Sequence, residues 1–163
     1  MVATVQILEK NGAGPTTTDK TSGTVRFKTA DNATVDTSDP INIPTAGTNY
    51  SYEKWLILNV TVAPDTNISN LKFYTDGGNG LGTGVGLYAK AVTAYSTPAL
   101  GTSTAGYTDA FTYTSGSALS LGAGPYTSTG EKGDHAVLLM TVGTTASPGQ
   151  TASETITFSY DEI

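Results

Sequence analysis

A chain of 163 residues is long enough for one domain that hides roughly 70% of its extended-chain surface without a metal or disulfide staple. The absence of cysteine excludes a disulfide framework and thiolate metal sites. Charged residues make up only 13% of the chain, the formal net charge is -6, and the basic residues stand singly at Lys10, Lys20, Arg26, Lys28, Lys54, Lys72, Lys90 and Lys132. That spacing sets nucleic acid aside, because phosphates are met by clustered Lys and Arg.

The polar balance is carried by Thr, Ser, Gly and Asn, which favour half-exposed strands and the turns between them. The first residues, Met1 to Val5, carry no basic and then apolar leader pattern. No apolar run approaches the ~20 residues that cross a bilayer, so no membrane partner is expected. In chain order, strands are expected over residues 2–8, 23–29, 50–62, 68–74, 85–95, 110–114, 136–142 and 155–160. Turn clusters separate them, among them Asn11-Gly12, Asp39-Pro40, Ala63-Pro64-Asp65 and Ser147-Pro148-Gly149. Within residues 50–62, Leu56, Leu58, Val60 and Val62 face one way and Trp55 and Ile57 the other, the pattern of a central strand. In the last strand Ile156, Phe158 and Tyr160 share one face.

No segment has a convincing helical period. About eight strands at this spacing predict an all-β fold, a single β-sandwich spanning residues 1–163, jelly-roll-like or Ig-like in strand order. Residues 12–22 and 96–108 read as long loops and are candidate contact regions. The first of them belongs to an N-terminal contact segment, residues 1–22.

The residues that could carry chemistry each have a plainer reading. His135 is the single histidine, no G-x-S-x-G elbow accompanies it, and no second histidine could complete a zinc shell. It is expected at a strand start beside a turn. The run from Asp76 to Gly86 follows a strand as a phosphate loop would, but it leads into Leu87-Tyr88-Ala89-Lys90, which alternates like a strand and not like a helix. Its glycines are expected to permit a turn and a close approach of another backbone. Asp65, Asp76 and Asp109 read as turn caps.

Trp55 is expected in the core. The sequons at Asn32, Asn49, Asn59 and Asn67 are of the number that a Ser- and Thr-rich chain produces by chance. No cofactor, metal or catalytic group is predicted, and the chain is read as non-enzymatic.

Three stretches carry a resemblance: Tyr50-Ser51-Tyr52-Glu53-Lys54-Trp55, Ile68-Ser69-Asn70-Leu71-Lys72-Phe73-Tyr74-Thr75-Asp76-Gly77, and Gly82-Thr83-Gly84-Val85-Gly86-Leu87-Tyr88-Ala89. Together with the closing Ile156-Thr157-Phe158-Ser159-Tyr160-Asp161-Glu162, they resemble small β-sandwich virion proteins of tailed phages, over roughly residues 50 to 95 and the C-terminus. The resemblance implies a structural protein on the capsid surface of a bacteriophage, made in the host cytoplasm. It also implies the major capsid protein and neighbouring copies of the chain itself as partners, in a homo-oligomer on the particle. It carries no catalytic residues over.

Capsid decoration is thus the first expectation. A carbohydrate-binding or host-recognition domain, with Tyr50, Tyr52, Tyr74 and Asp76 in contact with glycan, is an alternative. A tail or extracellular filament subunit is another.

Overall fold

The computed structural model describes residues 2–163. The chain folds as ten antiparallel strands in two packed sheets, a β-sandwich. They are β1 (Thr4–Asn11), β2 (Thr16–Asp19), β3 (Thr48–Tyr50), β4 (Lys54–Val62), β5 (Ile68–Tyr74), β6 (Val85–Val92), β7 (Thr108–Asp109), β8 (Leu119–Gly122), β9 (Gly130–Gly143) and β10 (Thr157–Glu162). The larger sheet runs β2-β1-β4-β9-β6-β7, with β3 also paired to β9, and the smaller runs β10-β5-β8.

Register explains which side chains meet. Leu56, Leu58 and Val60 of β4 align with Glu9, Ile7 and Val5 of β1. Leu56 aligns with Ala136 of β9, and on β9's other side Met140 aligns with Leu87. With the period of two, these residues turn toward the smaller sheet, where Ile68, Leu71, Phe73 and Leu121 complete the core. The opposite face of β4 and β9 is buried too, since Trp55, Ile57, Val137 and Leu139 are all covered. β4 is therefore the central strand that its two-sided apolar pattern predicts, and Trp55 is in the interior.

Several expectations are corrected. Residues 12–22 are not one loop. The β-branched Thr16, Thr17 and Thr18 pair with Asn11, Lys10 and Glu9 across a tight turn, and β2 becomes the edge of the large sheet. Residues 4–19 of the N-terminal segment are thus a hairpin within that sheet. Residues 23–29 alternate like a strand but join no ladder. Val25 and Phe27 pack against the core, while the Lys28 carbonyl accepts from the Tyr52 N–H and the Thr29 N–H donates to the Asp39 carbonyl.

At residues 110–114 a 3-10 helix, Ala110–Thr112, replaces the expected strand because Asp109 Oδ1 accepts from the Phe111 N–H at 3.0 Å. β9 starts six residues earlier than the expected 136, at Gly130, so His135 lies inside a strand and not at its start.

Two glycines have structural reasons. The β4–β9 register shifts between Leu56 and Leu58, leaving extra β9 residues around Gly133. Gly133 takes φ 71°, and a Cβ there would collide with the Leu121 carbonyl oxygen of β8. Gly84 takes φ 74°, and a Cβ there would stand 2.5 Å from the Ala146 backbone nitrogen. The glycine run thus does admit a second backbone at close range.

Candidate interaction surface

The outer face of the large sheet is organised around Glu53. Its Oε2 accepts from Trp55 Nε1 at 3.1 Å, and its Oε1 accepts from the Tyr107 hydroxyl and stands 3.4 Å from Lys90 Nζ. Lys90 Nζ also lies 4.0 Å from the Tyr107 ring centroid. Burial works to raise the Glu53 pKa, but the hydrogen bonds from Tyr107 and Trp55 and the charge of Lys90 outweigh it, and the carboxyl sits below its ordinary value. Burial, followed by the bond to Glu53, pushes the Tyr107 hydroxyl far up, so it stays a neutral donor.

These contacts latch residues 96–108 onto their own sheet. The Glu53 N–H donates to the Ala99 carbonyl and the Gly101 N–H to the Ser51 carbonyl, each at 2.9 Å. Gly101 lies against Leu139 and Tyr50, where a Cβ would stand 2.6 Å from Leu139 Cδ1. Thr102, Ser103, Ala105 and Gly106 remain exposed at the tip, and Leu100 is 46% exposed.

Beside this latch, Trp55 meets the Tyr95 and His135 rings edge-on at 5.3 and 5.4 Å. His135 Nδ1 donates to the Val92 carbonyl at 3.2 Å, because a carbonyl can only accept. Nε2 is then the lone-pair nitrogen, buried without a protein partner. Burial lowers the His135 pKa and outweighs the Val92 bond. No group of three or more metal-ligating side chains gathers there or elsewhere among the described residues.

At the end of the inner face that β10 does not cover, an ionic cluster is buried. Glu9 and Lys54 are both 0% exposed, and Lys54 Nζ donates to Glu9 Oε1 at 2.9 Å and to the Asn32 carbonyl at 2.7 Å. Lys20 Nζ lies 3.6 Å from Glu9 Oε2 and donates to the Thr24 and Ala33 carbonyls at 2.8 Å each. Lys28, also buried, pairs with Asp36 at 2.9 Å. Sequence reasoning missed this cluster. Glu9 and Lys54 do fall on the inward phase of β1 and β4, and a charge at such a position is the signal that could have found it.

The four residues named for glycan contact divide between the sheets. Tyr50 lies in β3 and Tyr52 bridges to Leu100 beside the large sheet, whereas Tyr74 ends β5 of the small sheet and Asp76 follows it. No ring contact or hydrogen bond joins the two pairs among the described residues. Asp76 Oδ1 accepts from the Gly78 N–H at 2.9 Å, as a turn-capping carboxylate does.

At the other end of the large sheet, all four residues of β2 are exposed, and its outer edge pairs with no strand. Of these four, Asp19 alone is charged; hydrogen bonds from Thr21 hold its carboxyl below the ordinary value.

No protein-family model, no curated protein and no solved structure matches this chain.

Proposed function

We propose that the chain is a non-enzymatic virion structural protein that decorates the outside of a tailed-phage capsid and reinforces it by bridging capsid subunits. The observation that carries this reading is the placement of two weakly charged, exposed surfaces at opposite edges of one sheet. β2 forms one edge, and β7, with the tip of residues 96–108 leading into it, forms the other. Five inter-strand spacings separate them, about 24 Å at ~4.8 Å each.

A bridge needs two contacts that cannot fall on the same neighbour, and a stiff span between them. The hydroxyl-rich surfaces can approach a protein partner without stripping water from many ions. β2 also offers unpaired backbone donors and acceptors to a strand of a neighbour. Weak contacts at both ends act together once the first is made, because the second becomes intramolecular. The resemblance of residues 50–95 and the closing strand to phage virion proteins points the same way.

The test is to mix the purified chain with empty capsids of its source particle, sediment them, image the pellet, and measure the temperature at which the shells break. Regular surface density with a raised breaking temperature is the expected result. Capsids that neither retain the chain nor change in heat stability would sink the proposal. Filaments formed by the chain alone would move it to the tail or filament reading.

A further inference from the structure

We propose that the space between the inner face of the large sheet and the irregular segments beside the small sheet is a binding site for an amphipathic monoanion, a hydrocarbon chain ending in one carboxylate. The three-stranded sheet covers only part of the inner face of its larger partner. Over the rest, irregular segments at residues 20–41 and 146–156 form the roof. Between floor and roof lies a cavity of about 630 Å³, within the ~300–1,000 Å³ of small-molecule sites. Val5, Ile7, Leu56, Leu58 and Met140 form its floor and Phe158 one side. Val5, Ile7 and Phe158 are only partly buried although they pack against the core, as expected of walls around a space that the chain itself does not fill.

The sign of the wall selects the head group. In a chain with 8 basic and 14 acidic residues, the cavity is lined by Lys20, Arg26 and Lys28 against a single carboxylate, Glu154. Glu154 directs Oε1 onto Gly80, outside the wall. Lys20 is held by Glu9 and two carbonyls, and Lys28 by Asp36. Arg26 makes no hydrogen bond or ion pair among the described residues, although its charge reaches Asp36. Arg26 is among the residues that line the cavity, and a planar guanidinium with free donors fits a carboxylate bidentately while hydrocarbon fills the floor. The inference stands apart from the capsid reading and uses neither edge of the large sheet.

The experiment titrates the whole chain with octanoate, decanoate and dodecanoate below their micelle concentrations, by calorimetry and by methyl NMR. Saturable binding is expected, tightening about fourfold per added methylene, with shifts confined to Val5, Ile7, Leu58 and Met140. Arg26→Gln should weaken dodecanoate about tenfold and leave 1-dodecanol unchanged. Val25→Trp, which places a ring in the roof, should abolish binding of both. If that variant does not fold, the Arg26→Gln comparison still decides. No saturable binding, an unchanged dodecanoate affinity in Arg26→Gln, methyl shifts outside the cavity, or a second copy of the chain filling it in sedimentation would each overturn the proposal.

Discussion

Replacing Lys54 by Met tests the buried ionic cluster directly, because it removes the charge and keeps most of the volume. Lys54 Nζ supplies the closest contact to Glu9, at 2.9 Å, and satisfies the Asn32 carbonyl. Without it the fully buried Glu9 carboxylate keeps only Lys20 at 3.6 Å and a long bond from Asn11 Nδ2 at 3.4 Å. Removing one partner of a buried pair typically costs about 3–5 kcal/mol, since the remaining charge is left without compensation. At ~2–4 °C per kcal/mol for a domain of this size, the melting temperature should fall by about 6–20 °C.

Removing both charges is different, because the desolvation cost of Glu9 disappears with it. Glu9→Leu with Lys54→Met should recover most of the loss, giving a coupling of about 2 kcal/mol or more. Denaturant unfolding followed by Trp55 fluorescence, with the slope compared across variants, measures both quantities. A single variant within about 1 kcal/mol of the parent, or a double variant as unstable as the sum of the singles, would refute the reasoning.

Two further outcomes follow from the outer face. The lowered pKa of buried His135 means that the unfolded chain takes up a proton that the folded chain resists. Its contribution to stability is therefore complete above the ordinary value of about 6.5 and is lost as the pH falls from there toward the folded value. Unfolding free energies should decline between pH 7 and 5 in the parent and much less in His135→Phe, which keeps the ring contacts; parallel pH profiles would reject this. Glu53→Ala takes the shared acceptor from Tyr107, Trp55 and Lys90, so hydrogen exchange at the Gly101 amide should accelerate about ten- to hundredfold, as expected for ~1–3 kcal/mol of lost local stability. Unchanged exchange at Gly101 would show that the backbone ladder alone holds the loop.

The sequence made the strands legible where one physical signal dominated. In β4 and β10, apolar residues recur with a period of two and turn residues flank the run, so facing follows, while the bounds shift to Lys54–Val62 and Thr157–Glu162 from the expected 50–62 and 155–160. Residues 23–29 show the same alternation and form no strand. Pairing is a long-range event, and here the edge beside β1 is taken by β2, which is joined to it by a short turn. A contact that closes a short loop has less chain entropy to overcome than one that must reach across the fold. The Thr-rich β2 was hidden for a related reason, since its exposed residues carry no burial pattern at all.

The candidate surface was partly legible in the same sense. Residues 96–108 stood out by length and composition, but their latch depends on Glu53, Lys90 and Tyr107 meeting across two strands and a loop. Spatial convergence of that kind leaves no mark in local sequence. The glycine run was better placed, because a close backbone approach at Gly84 demands glycine whatever the partner is.

The buried lysines connect the interior to the character of the surface. Lys10, Lys20, Lys28 and Lys54 are all buried, half of the chain's basic residues, while most of the exposed ionisable groups are acids. Composition therefore understates how few cations the outside presents. The interior cations also do structural work. Lys54 of β4 and Lys20, which is paired with Glu9 of β1, tie residues 24–33 to the large sheet through Thr24, Asn32 and Ala33, while Lys28 and Asp36 brace the same segment internally, in the part of the sandwich that lacks covering strands. Irregular backbone can roof an apolar floor only if its polar groups find partners, and these ammonium groups accept that role from beneath. One arrangement thus leaves an open cavity inside the sandwich and weakly charged, hydroxyl-rich edges outside it, which ties the cluster tested by Lys54→Met to both proposed binding properties.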